Sequence, residues 1–345
     1  MNFSSLRASS STGACVSLLA YFRVCLPPGV QVAEEPLSRI NPQGKLLNSL
    51  EYDPSCLIVT HEARLNSSQS GVYSVQETWG EYSELDLPQV GDNVVSWDFQ
   101  SGELTVLIDL FDFFDPVTER GYLSNSTYRA SCNSNESQWT NDWSHLNSVS
   151  VSAFDGSLIV SIRHLSTICS FQAPPLLAGI KWCISSELPH RSNYTFDEGA
   201  TKFYDQHAVQ QLPSGNLIMF DNGNARVKVG YGGGGTTSRG LELNLNQETM
   251  VASVAWEYPV TYDSHEGSVY PLENGHFLIH EPNNGGDAAM IQRVNEEQRI
   301  RGLSRAVEVD SNGVEVCSLY TGIYTDTAYR AVPFSTLLGE VRQLE

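Results

Sequence analysis

Cations are scarce in this chain. Its 345 residues hold 20 Lys and Arg against 40 Asp and Glu, a formal net charge of −20. That balance excludes a nucleic-acid role, because phosphate binding needs a cationic footprint. It also disfavours an anionic membrane surface. An anionic substrate must be met by a local cationic pocket, since the global field repels it. Paired cysteines are lacking too. None of the seven cysteines forms a CxxC pair, so a zinc ribbon or finger is not expected. Long apolar runs are missing. The N-terminal stretch "ACVSLLAYFRVCL" is interrupted by Arg23, which makes it a poor signal peptide and too short for a membrane span. Helical periodicity is rare, and the best helical candidate is "AAMIQRVNEEQRIR". The glycine-rich run "DNGNARVKVGYGGGGTTSRG" has no GK[ST] and no strand-to-helix step, which excludes a P-loop and leaves a loop.

What is present is a succession of short alternating strands split by Asx-Gly and Pro-Asx turns. "SAFDGSLIVSIR", "QQLPSGNLIMFD" and "YPLENGHFLIHE" each hold a turn, a glycine and an apolar strand. Their glycines, Gly156, Gly215 and Gly275, recur about every sixty residues. "NVVSWDFQSGELTVLIDL" has the same shape, and "EYDPSCLIVTHEARL" reads as an earlier, degenerate copy. Repeats of about four strands at this period predict an all-β fold, a β-propeller with four clear copies and five or six in all, the N-terminal blades being less complete. A large β-sandwich is the competing architecture. Residues 1–45 do not fit the repeat and read as a leader or a ring-closing strand, and residues 46–345 form the propeller domain.

Each repeat carries polar residues just ahead of its glycine turn. His145 and Asn147 precede Gly156, Gln206 and His207 precede Gly215, and His265, Glu266 and Ser268 precede Gly275. In a propeller such positions converge on the channel mouth. Arg163 ends the strand "SLIVSIR", and its guanidinium suits a tetrahedral oxyanion. Imidazoles beside it supply a nucleophile and a proton shuttle near neutral pH. Singly, each histidine reads better as a structural strand cap; as a set at repeat-equivalent positions they favour a shared site. A metal site of His145, His207 and His265 is a rival, as ligand of a hydrolase or lyase. His61, His164, His190, His276 and His280 read as structural. His164 in particular follows Arg163 on an alternating strand and is expected to face away from it. Trp143 and Tyr204 are candidates for stacking on an aromatic ligand.

The segments "DWSHLNSVS", "SIRHLSTI", "DQHAVQQLPSGNLIMFDNG", "SRGLELNLN" and "AWEY" occur in the order found in the arylsulfotransferase family, over about residues 92–335, roughly 70% of the chain. His145 and Arg163 are 18 residues apart (163 − 145), a spacing that also resembles the family's. The resemblance implies a six-bladed propeller that moves a sulfuryl group from an aryl sulfate ester to a phenolic acceptor, without the nucleotide donor PAPS and without another cofactor. It implies a sulfated histidine, with His207 as nucleophile, His145 as sulfate contact or proton shuttle, and Arg163 on the sulfate oxygens. Asn147 would orient the bound group or its histidine neighbour. Two departures stand out. The bacterial members carry a further active-site histidine in an earlier blade, and the equivalent region "LLNSLEYDPSC" has none. Their N-terminal β domain also has no counterpart. The alternative function is a non-catalytic propeller that binds an anionic ligand or a protein at its mouth. Sequons at Asn2, Asn66, Asn125, Asn135 and Asn193 point to a glycoprotein that is secreted or lumenal.

Overall fold

The computed structural model describes residues 59–66, 68, 70–130, 138–172, 179–198, 202–226, 237–284, 303–321 and 328–333, with short strands at 8–10, 18–22, 38–40 and 46–49. The helical candidate at 288–301, the GGGG run at 232–235 and the sequons at Asn2 and Asn135 lie outside them. The all-β expectation holds. No α-helix occurs among the described residues; the only helical turns there are 3-10 segments at Leu110–Asp112 and Arg163–Leu165. No helix among them is long and apolar enough to cross a membrane.

The chain divides into two compact units. One comprises Ala33–Leu217 with Leu243–Val254; the other comprises Met1–Val32, Ile218–Glu242 and Ala255–Glu345. Four sheets of four or more strands form among the described residues, against the six blades expected. In each, most strands follow one another up and down and antiparallel, as the strands of a propeller blade do.

The first unit contains two of these sheets complete. In the earlier one, Val59–Leu65, Gly71–Gly80, Gln89–Asp98 and Leu104–Asp109 run antiparallel in sequence. Gln138–Asp142 then joins the strand Gln89–Asp98 in parallel, with Asp142 opposite Val90. The later sheet is the meander Leu146–Val151, Leu158–Ile162, Thr167–Phe171 and Ile180–Ser185. Period-two alternation explains its burial. Val149, Leu158, Val160, Ile162, Cys169 and Phe171 face one core with side chains of the earlier sheet. Cys169 and Cys183 are cross-strand partners on adjacent strands and form a disulfide.

The first strand of this later sheet is rich in small polar residues, "LNSVSV". Their side chains do not reach water. Asn147 Nδ2 donates to Gln206 O at 2.7 Å, Ser150 Oγ donates to Val209 O at 3.0 Å, and Ser152 Oγ donates to Gln211 Oε1 at 2.7 Å. All three bonds span 59 residues, the spacing from Gly156 to Gly215 (215 − 156). The strand therefore lies beside its repeat equivalent, His207–Gln211, and is stitched to it by buried hydrogen bonds. This is why the strand alternates serine, and not valine, with its apolar residues.

The other unit contains the sheet of Ser268–Pro271, Phe277–Asn284, Leu303–Val309 and Glu315–Thr321, with Ala8–Ser10 pairing at its edge. Leu18–Phe22 pairs with Ala328–Pro333. A further large sheet has strands at Thr195–Phe196, His207–Gln211, Leu217–Asp221, Thr237–Asn246 and Val251–Thr261. The turn glycines have the conformation the repeat requires. Gly156, Gly215 and Gly275 sit at φ 74°, 89° and 80°, where a side chain is strained.

Candidate active site

The parallel pairing of Gln138–Asp142 with Gln89–Asp98 brings two acids to the entry of the next sheet. Asp92 is fully enclosed. Its Oδ2 accepts from Ser144 Oγ at 2.5 Å and from the Leu146 amide at 2.7 Å. The carboxyl thus clamps the chain on both sides of residue 145. Burial, with the charge of Asp142 adding to it, holds this carboxyl well above the usual range, while the two donors partly offset that. Between the clamped residues, His145 adopts φ 49°, a left-handed conformation that is costly for a histidine. The clamp maintains it.

The His145 side chain is then fixed by Asp142. Its Nδ1 lies 2.5 Å from Asp142 Oδ2. A carboxylate only accepts, so Nδ1 carries the hydrogen and Nε2 is the nitrogen presented for chemistry. Arg163 and His164 complete the cluster. Arg163 Nη1 lies 2.7 Å from His164 Nε2, and His164 Nδ1 lies 2.7 Å from Asp142 O. A guanidinium only donates and a carbonyl only accepts, so His164 is neutral and protonated on Nδ1. Burial, reinforced by the positive charges around it, pushes this imidazole well below its ordinary value, in agreement. The His145 and His164 rings stack at 4.6 Å, and the His61 ring meets the His145 ring edge-on at 4.8 Å.

Two histidines set aside as structural therefore stand beside His145. His164 does not face away from Arg163. The strand stops at Ile162, and Arg163–Leu165 makes a 3-10 turn closed by Ser166 at φ 44°, so strand alternation no longer applies. His61 sits in the earlier sheet at φ 62°, where the register shifts between Thr60 and Ala63. That bulge turns a residue read as mid-strand towards the cluster. The segment "LLNSLEYDPSC" lacks a histidine, and His61 lies five residues after its cysteine (61 − 56).

Asn147 is fully buried, and its bond to Gln206 O ends one residue short of His207. His207 is buried at the start of its strand, between Asp205 at φ 55° and Ala208 at φ 53°. His145, Asn147, Arg163 and His207 all belong to one unit. His265 belongs to the other; its ring is more than half exposed and lies 2.7 Å from Ser264 Oγ. Among the described residues, the side chains close enough to share a metal ion are Asp142, His145 and His164, not His145, His207 and His265. A cation there would have to displace Arg163 from His164 Nε2 or Asp142 O from Nδ1. Trp143 and Tyr204 are core residues. Trp143 is fully buried, donates from Nε1 to Glu119 O at 2.8 Å and stacks on Phe111. Tyr204 is likewise buried.

An all-β chain with a guanidinium and stacked imidazoles at one sheet entry is equipped to hold an oxyanion and move a proton. The comparisons assign it more closely. The model of the arylsulfotransferase (ASST) family matches residues 30–330, and the chain belongs to that family. No curated protein sequence matches it. Among solved structures, it is similar to a Bacteroides caccae protein of unknown function, with 12% identity over 87% of this chain and 80% of the other, at a TM-score of 0.46. TolB from Acinetobacter baumannii is similar at 10% identity over 84% of this chain and 61% of the other, with a TM-score of 0.32.

Proposed function

We propose that this arylsulfotransferase carries a sulfuryl group from an aryl sulfate ester to a phenolic acceptor through a sulfated His207. The observation that supports it best is the cationic cluster itself. In a chain of net charge −20, Arg163 and His164 stand with His145 at the entry of Leu146–Val151, the strand bonded to the one that His207 opens. Sulfuryl transfer resembles phosphoryl transfer, with charge spread over three oxygens in a loose transition state. Arg163 binds those oxygens. His207 attacks sulfur, and the S–O bond to the aryl group breaks as the N–S bond forms. His145 gives its proton to the departing phenolate. An acceptor phenol then attacks the sulfated nitrogen's sulfur and returns a proton to His145, which restores both imidazoles. Asn147, tied to Gln206 O, keeps the His207 strand in register with His145.

The alternative is a non-catalytic binding propeller; the His61 ring against the His145 ring supports the catalytic reading over it. The Cys169–Cys183 disulfide supports passage through an oxidising compartment and so a secreted or lumenal protein. The activity is tested with 4-nitrophenyl sulfate. The wild type should release nitrophenolate faster when phenol is added, and His207→Ala should release none. Equal release by His207→Ala would overturn the reading.

A further inference from the structure

Residue 142 touches both arms of the cluster. Its carboxylate Oδ2 lies 2.5 Å from His145 Nδ1, and its backbone carbonyl lies 2.7 Å from His164 Nδ1, whose other nitrogen receives Arg163. The two arms are bound by chemically different parts of one residue.

We infer that Asp142 is the positioning residue that makes His145 a proton donor: its carboxylate fixes the hydrogen on Nδ1 and balances the imidazolium, so that Nε2–H is delivered to the leaving oxygen. This rests on the sulfuryl-transfer reading for its purpose, not for its geometry. Two observations carry it. The carboxylate is one of the two ends of a short, largely enclosed contact, and the chain on both sides of His145 is held by the Asp92 clamp. The ring also stacks on His164 and meets His61 edge-on, which holds its plane. Burial raises the Asp142 carboxyl above its usual value, and the nearby Arg163 guanidinium partly offsets that push. The proton bookkeeping closes within one cycle. The imidazolium loses Nε2–H to the phenolate when S–O breaks, and the neutral ring, still Nδ1–H on Asp142, regains it from the acceptor phenol.

The two arms give the test an internal control. Asp142→Asn removes the carboxylate and keeps the backbone carbonyl. The full chain labelled with ¹⁵N in its eight histidines reports each ring's tautomer by NMR. In the wild type, His145 should carry hydrogen on Nδ1, with a proton far downfield; in Asp142→Asn that proton should vanish. His164 should keep Nδ1–H in both, because the carbonyl holds it. A wild-type His145 protonated on Nε2 alone, or a His145 spectrum unchanged in Asp142→Asn, overturns the proposal. Its purpose is read from two donors in one preparation. Asp142→Asn should lose roughly 100-fold more on phenyl sulfate than on 4-nitrophenyl sulfate, the lower end of what a general acid supplies. Equal loss on both donors overturns it. The ratio does not depend on how much of the variant is folded. A wild type that turns over neither donor would defeat the sulfuryl-transfer reading, and the proposal would then be decided by the His145 tautomer.

Discussion

Replacing Arg163 by lysine isolates what the guanidinium contributes. The charge is kept, but the planar fork is lost. Arg163 is buried and places one Nη 2.7 Å from His164 Nε2, so its fork serves a protein partner as well as the proposed oxyanion. A lysine ammonium is a compact point charge and cannot serve His164 Nε2 and several sulfuryl oxygens at once. Loss of one donor aimed at developing negative charge costs about 2.7–4 kcal/mol, or roughly 100–1000-fold in rate. The assay is the initial rate of nitrophenolate release from 4-nitrophenyl sulfate, well below saturation, so that kcat/KM is read directly. Leaving His164 Nε2 without its donor costs folded stability as well, about 1–3 kcal/mol for a buried acceptor. The rate is therefore normalised to the folded fraction from a melting curve. Arg163→Lys within threefold of the wild type would refute the oxyanion role, and a loss entirely explained by the melting curve would refute it equally.

Two other predictions concern the framework. The His280 ring is fully buried near the charge of Arg330, and burial pushes its pKa down to about 3. Folded His280 stays neutral while the unfolded chain takes up a proton below about 6.5, so stability falls as pH drops from 6.5 towards 3. Between pH 8 and pH 5 the loss should be about 2 kcal/mol, and His280→Leu should remove that part of the slope in denaturant titrations; an unchanged slope contradicts it. The Cys169–Cys183 disulfide spans a sequence separation of 14. Replacing both cysteines by alanine should cost about 3 kcal/mol in the same titration, and an unchanged midpoint would contradict that.

The fold was legible where local chemistry dictates it. The glycine turns at Gly156, Gly215 and Gly275 were marked by residue type, because only glycine takes positive φ without strain. The 59-residue offset between inner strands was written in the same repeat. The site was legible only in part. His145, Asn147 and His207 stand out by repeat position, Arg163 by its place at a strand end, and all four by the resemblance. His164 was misjudged because alternation was extended past Ile162, where a 3-10 turn ends the strand. His61 was missed because its bulge uses a positive φ at a histidine, which no residue type announces. Asp142 was visible in hindsight as the acid three residues before His145, a spacing that lets its side chain fold back onto the ring. Asp92 had no such signal, since its partners lie more than 50 residues away. Non-local pairing put it there, and pairing between distant strands is the part of a β fold that sequence pattern specifies least.

The central claim is the sulfated histidine, and it can be seen directly. The wild type is mixed with excess 4-nitrophenyl sulfate without acceptor, quenched in alkali within one turnover, digested and examined by mass spectrometry. The account predicts a sulfuryl adduct on the peptide bearing His207, absent after an acid quench and discharged when phenol is added before the quench. Nitrophenolate release with no adduct on His207, or an adduct on His145 or His61 that phenol discharges, would contradict it.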